Sequence, residues 1–132
     1  MTQDLKLKTQ DFLLRWGPAI AYMAFIYLLS EQPKNGGIIP DLGEMDFFIK
    51  KLAHFLEYGL LALLLLRAVR GPQPITWQLI VWTLILTVLY AATDEYHQTF
   101  VPGRAGRWQD VIIDASGALL ALVVRWRSLG LR

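Results

Sequence analysis

The chain contains no cysteine, which excludes disulfide bonds, thiolate metal sites and cysteine nucleophiles. Histidine is nearly as scarce: with two in 132 residues, any imidazole chemistry falls to His54 or His97. Charge is sparse and almost balanced. Charged residues make up 18% of the chain and leave a net +2, too little to point to nucleic acid. No internal repeat or low-complexity segment stands out. What the chain has instead is apolar residues, 55% of the total, with a positive mean hydropathy. That composition describes one domain of 132 residues, too apolar for an ordinary soluble protein.

The apolar residues are blocked rather than alternating. Four blocks, about 12–30, 47–69, 75–95 and 108–126, each approach the ~20 residues a helix needs to cross ~30 Å of hydrocarbon. The expected fold is therefore all-α, a polytopic membrane protein built as a four-transmembrane-helix bundle. Arg15, Gly17 and Pro18 crowd the start of the first block, and Pro18 is tolerable near a helix N-terminus, where N–H groups lack partners anyway. Lys6, Lys8 and Arg15 before an apolar run also resemble a signal peptide. Leu28-Leu29-Ser30 makes a poor cleavage site, however, so a retained helix is expected.

Loops 31–46, 70–76 and 98–107 are rich in Pro and Gly, as helix breakers require. If the helices alternate, eight of the 13 basic residues share a side with both termini: Lys6, Lys8, Arg15, Arg67, Arg70, Arg125, Arg127 and Arg132. The positive-inside rule then puts both termini in the cytoplasm. The first loop, with its acids, is expected to be external and hydrated.

Against this background a few ionisable residues are conspicuous. His54 and Glu57 lie in the second block, Asp94 ends the third, and Asp110 and Asp114 begin the fourth. A charge in hydrocarbon costs a few kcal/mol, so such groups usually face a bundle interior or a watery cavity. His54, Glu57 and Tyr58 share a face by i,i+3 and i,i+4 spacing, as do Asp94, His97 and Gln98, and Asp110 and Asp114. Gly117, one turn deeper, allows close helix approach. Alternation places all of these groups at the external end, in a shallow pocket. His54 and Asp114 are expected to meet across the second and fourth helices, with His97 near the mouth. The competing reading is a set of helix-end residues snorkelling to headgroups, as Arg107 and Trp108 are expected to do. It fits Asp94, Glu95 and Asp110 better than the deeper His54, Glu57 and Asp114. Arg104, on a Pro-Gly turn, is either an interfacial anchor or a bidentate grip on a lipid phosphate.

The segments KKLAHFLEYGLLA and DEYHQTFVPGRAGRWQDVIIDASGALL resemble the VanZ-like family of small bacterial membrane proteins. YLLSEQP is similar to the Ser-x-Gln that commonly ends that family's first helix. Carried over position by position, the family's motif falls on Lys51, His54, Glu57, Tyr58, Asp94, Glu95, His97, Gln98, Arg104, Asp110, Asp114 and Gly117. Asp114 stands where many relatives carry Asn, which makes this pocket more acidic. The resemblance implies a link to the cell envelope and to teicoplanin resistance, for which the family is named, without supplying a reaction.

Three functions compete. In an enzyme acting on a phosphorylated, headgroup-bearing or polyprenyl-linked membrane lipid, His54 or His97 is base or nucleophile. Glu57 or Asp94 orients it, and Arg104 stabilises phosphate charge. In a binding or shielding protein, those residues with Lys51, Tyr58, Glu95, Gln98, Asp110 and Asp114 are ligand contacts. In a metal-assisted variant, a divalent cation sits among the carboxylates and histidines, with no ligand set assigned. A proton-coupled transporter fits poorly, because the charges gather at one end.

Overall fold

The computed structural model describes residues 2–33 and 44–130. The expected hydrated loop lies largely outside them. Four helices follow in order: α1 Thr2–Ser30, α2 Glu44–Arg70, α3 Trp77–Gln98 and α4 Trp108–Ser128. No strand occurs among the described residues. α2 is the centre of the bundle. It packs most extensively on α4, and also touches α1 and α3.

Two apolar clusters on different faces of α2 hold the bundle together. Tyr58, Leu61, Leu65 and Ala68 meet Ala19 and Ile26 of α1 and Ala91 of α3. Ala62 and Leu66 meet Ile80 of α3 and Ala118 and Leu122 of α4, with Ile75 closing the end. These positions recur every three or four residues, so each stripe stays on one helix face. Large apolar side chains such as Leu56, Trp82, Leu89 and Val124 point outward, as lipid-facing residues do. Packing rather than hydrophobic expulsion joins helices in lipid, and small residues permit it. At Gly117 a Cβ would overlap the Phe55 carbonyl, so the α2–α4 crossing requires glycine there.

One departure from the sequence expectation and one difference among the helices have physical causes. α1 begins at Thr2, so Pro18 lies inside the helix and not near its start. The preceding turns contain good helix formers, and an Asp11–Arg15 ion pair at i,i+4 joins two of them. Among the described residues, three of the four helices are long and apolar enough on their own to cross a membrane, Gln3–Ser30, Met45–Arg70 and Trp77–Gln98, and α4 is less apolar. α4 is long enough, but Asp110 and Asp114 at its start and Arg125 and Arg127 at its end lower its hydropathy. It buries Asp114, Gly117, Ala118 and Leu122 against the bundle, so the acid farther into its apolar run is hidden from lipid.

The two described loops are short and built by specific residues. Gly71 takes φ 58°, and Thr76 caps α3 by accepting a hydrogen bond from Leu79 N at 3.3 Å. In the α3–α4 loop, Arg104 N donates to Val101 O at 3.1 Å across Pro102 and Gly103, whose φ is 77°. Proline then glycine at those positions is the chemistry of a type II turn. That turn aims Arg104 at the end of α1.

Candidate functional site

All four helices and the α3–α4 loop bring polar groups to one end of the bundle. His54 of α2 lies with Nδ1 3.3 Å from Oδ1 of Asp114 on α4, the expected meeting of those two residues. The atoms are close but not aligned as a hydrogen bond, and neither has another partner. Asp114 is fully buried, and both of its carboxylate oxygens lack a hydrogen bond. Glu95 of α3 completes a trio with them: one ligand atom from each of His54, Glu95 and Asp114 lies within 4.8 Å of the others. The second Glu95 oxygen, Oε2, accepts from Arg107 N at 2.8 Å, which fixes the carboxylate from the loop side.

The other candidates surround this trio. Lys51 pairs with Asp110, so one acid at the mouth is neutralised by one ammonium. Asp94 accepts from Gln98 Nε2 at 3.1 Å through Oδ2, while its Oδ1 is buried without a partner. Tyr58 is fully buried below His54, their rings parallel within 7° at 6.5 Å, and its hydroxyl also lacks a partner. Glu57 is half-buried on the same helix, outside the trio. The acid beside His54 is therefore Asp114, rather than the Glu57 or Asp94 expected to orient it.

His97 turns elsewhere. Its ring lies 4.6 Å from that of Tyr27 on α1, and its Nε2 is 3.8 Å from Glu31 Oε1. The two histidines therefore do not share one carboxylate set. Arg104 donates through Nε to Gln32 O at 2.7 Å and through Nη2 to Leu29 O at 3.3 Å. These carbonyls lie in and just past the last turn of α1, where helix carbonyls lack their usual i+4 donors; Leu29 O also accepts from Gln32 N at 3.2 Å. Much of the guanidinium fork expected to grip a phosphate is thus engaged in tying α1 to the loop.

Sequence reasoning did not assign a role to Ser30 or Glu31. Ser30 is buried with its hydroxyl unpartnered, and Glu31 meets both His97 and Tyr27. The signal was the polar Ser-Glu-Gln ending an apolar helix. Among the described residues, eight buried side-chain atoms have no hydrogen-bond partner: Ser30 Oγ, His54 Nδ1, Tyr58 OH, Asp94 Oδ1, Glu95 Oε1, His97 Nε2 and both Asp114 oxygens. Every one belongs to this group of residues. Leaving such an atom unsatisfied costs about 1–3 kcal/mol, so nature rarely concentrates them without a purpose.

The sequence pattern that defines the VanZ/LLP1 family matches residues 6–128, nearly the whole chain. The chain belongs to the VanZ/LLP1 family. The resemblance carried by KKLAHFLEY and DEYHQTF is confirmed at that level, together with an all-α bundle whose helices have membrane-spanning character. No curated protein and no solved structure matches the chain. Membership therefore identifies the protein as a VanZ-like membrane protein, and any chemistry must be argued from the site.

Proposed function

We propose that the polar end of the bundle is an outward-facing pocket for the head of an envelope lipid, phosphorylated or lipid-linked, which the protein binds or acts on. The observation that carries this reading is the set of buried, unpartnered atoms on all four helices, gathered at one end. A purely structural cluster would be expected to pair its buried polar atoms internally, since leaving them unpaired is costly. A ligand offering hydroxyl, amide or phosphate groups would satisfy them. The exposed rings of Phe47, Phe48, Tyr96, Phe100 and Trp108 flank the same end and suit a headgroup-level belt.

The orientation follows from charge. Arg15 packs against Gly71, so the middle of α1 sits level with the α2–α3 loop, on the side carrying most basic residues. The termini are then cytoplasmic and the pocket opens outside the cell membrane. Single cysteines at Gln73 and Ala105 test this with an impermeant thiol reagent. Labelling at Ala105 alone is expected, and labelling at Gln73 alone would reverse the topology.

Native mass spectrometry of the purified protein tests the ligand. One phosphorylated or polyprenyl-linked lipid should co-purify, and should be lost from His54→Ala. Retention of bulk phospholipids in membrane proportion, equally by wild type and variant, would end the reading. Turnover and shielding separate by a further comparison: an enzyme has a variant that keeps the lipid and loses function, whereas a shielding protein loses both together.

A further inference from the structure

We infer that His54, Glu95 and Asp114 form a binding site for a divalent metal ion, through which the pocket engages an anionic headgroup. The argument begins with a conflict of charge. Glu57, Asp94, Glu95 and Asp114 line or border the pocket, and carboxylates repel phosphate. The nearby cations are committed, Lys51 to Asp110 and Arg104 through Nε and Nη2 to the carbonyls of Gln32 and Leu29. Among the described residues, no Lys or Arg forms an ion pair with Asp94, Glu95 or Asp114. Two buried carboxylates with only the His54 imidazole beside them are expensive in a low-dielectric interior.

The geometry of the trio answers that conflict. Two ligands of one ion can be no farther apart than twice the bond length, about 4.2–4.8 Å for divalent ions with bonds of ~2.1–2.4 Å. The ligand atoms of His54, Glu95 and Asp114 lie within 4.8 Å of one another. They come from three different helices, so the arrangement is set by the bundle rather than by one flexible segment.

Burial supplies an independent observation. Asp114 is fully buried and Glu95 is 5% exposed, yet Asp114 Oδ1 and Oδ2 and Glu95 Oε1 accept no hydrogen bond. The nitrogen of His54 turned toward them, Nδ1, has no hydrogen bond either. Glu95 Oε2 is held by Arg107 N, the kind of second contact that orients a metal ligand. Neutral imidazole and two carboxylates carry a charge of −2, which one divalent ion cancels. One nitrogen and two carboxylate donors suit Zn²⁺, Mn²⁺ or Fe²⁺ by donor type better than Ca²⁺, which prefers an all-oxygen shell; the shorter bonds of Zn²⁺ require the three atoms to draw in from the 4.8 Å limit on binding. The partly exposed side of His54 leaves access for further ligands. A headgroup phosphate is one such ligand, and here the inference rests on the lipid-head reading; the metal site itself does not.

The test uses the full chain purified in detergent. After dialysis against Zn²⁺, elemental analysis should find about one equivalent per chain, and Co²⁺ should give visible absorption with an imidazole-sensitive band. Loss of an outer-shell partner alone weakens metal sites 10–100-fold, so Asp114→Asn, Glu95→Gln and His54→Ala should each cost at least about tenfold in affinity. Asp11→Asn, in an exposed pair with Arg15 of α1, should bind as wild type does. Each variant is first shown to be monodisperse with unchanged helicity. Wild type that retains no Zn²⁺ and leaves the Co²⁺ spectrum unchanged would overturn the inference without reference to any variant. So would equal Zn²⁺ affinity in wild type and Asp114→Asn. Specific lipid retention in chelator-treated protein would overturn the proposed metal bridge while leaving the lipid-head reading intact. Metal binding without specific lipid would establish the site and remove that reading.

Discussion

The two ends of the bundle bury polar groups in opposite ways. Toward the Trp77 end, Thr83 and Thr87 are buried, but their hydroxyls donate to Leu79 O at 2.7 Å and Thr83 O at 2.8 Å. Around them Ile80, Ala118, Leu122 and Leu66 fill the space, and Trp77 meets Trp126 edge-on at 6.2 Å. At the other end His54, Asp94, Glu95 and Asp114 are brought together and left incompletely satisfied. The same helices run through both regions. The contrast teaches that this fold has a ready way to satisfy a buried hydroxyl, the carbonyl one turn back, and uses it only where nothing else is asked of the site.

Substitutions that damage one end and spare the other test that contrast. Gly117→Leu should have the largest effect, because its side chain would collide with the Phe55 backbone at the α2–α4 crossing. Overpacking costs about 1–3 kcal/mol in adaptable cores, and backbone is less adaptable. The variant should fail to accumulate in membranes, as quantitative immunoblotting would show. Wild-type abundance would mean that α2 and α4 do not cross so closely.

Next come the polar-end variants His54→Ala, Glu57→Gln and Asp94→Asn. Each removes charge or hydrogen-bonding capacity from an apolar segment, so insertion should be unchanged. Envelope complementation and lipid retention should nevertheless fall to background. Full complementation by Glu57→Gln and Asp94→Asn would return those residues to a structural role, since near-isosteric amides keep hydrogen bonds, and full complementation by His54→Ala would remove the imidazole from function altogether.

Arg104→Lys should have an intermediate effect. A lysine keeps the charge but cannot reach both α1 carbonyls with a planar fork, so about 1–3 kcal/mol of stability is at stake. A lowered Tm in detergent with lipid still bound is expected. Unchanged Tm with lost lipid would make Arg104 a phosphate grip instead. The smallest change belongs to Thr87→Val, which removes a hydroxyl together with a local bond. It should shift stability by no more than about 1 kcal/mol and leave lipid retention intact. Lost retention would mean that the polar site extends to the apolar end.

The sequence contained most of this architecture in its spacing. Four apolar blocks became four helices, because each block matches a helix in length and period. His54 and Asp114 could be paired in advance, since each was too deep in an apolar segment to do without a partner. Other features depend on helix rotation, which spacing along one helix does not give. Asp94 and Glu95 differ by about 100° on α3, and the loop carrying Gly106 and Arg107 wraps the helix end closely enough to bury both. That is why Glu95, and not its neighbour Asp94, joins the trio. Arg104 was legible as a cation on a turn, but its target was not, because the carbonyls of Leu29 and Gln32 carry no side-chain signature. Pro18 was misplaced for a related reason: a proline usually marks a boundary, and here the helix runs past it.

The central claim is that the polar end is kept for a ligand and not for stability. Asp114→Asn tests it most directly, since Asp114 is fully buried with neither oxygen satisfied. Thermal unfolding in chelator-containing detergent should be measured beside envelope complementation for the same variant. The expected result is a Tm equal to or above wild type, because a buried charge has been removed, with complementation lost. A lowered Tm with complementation retained would contradict the account and make Asp114 a structural residue.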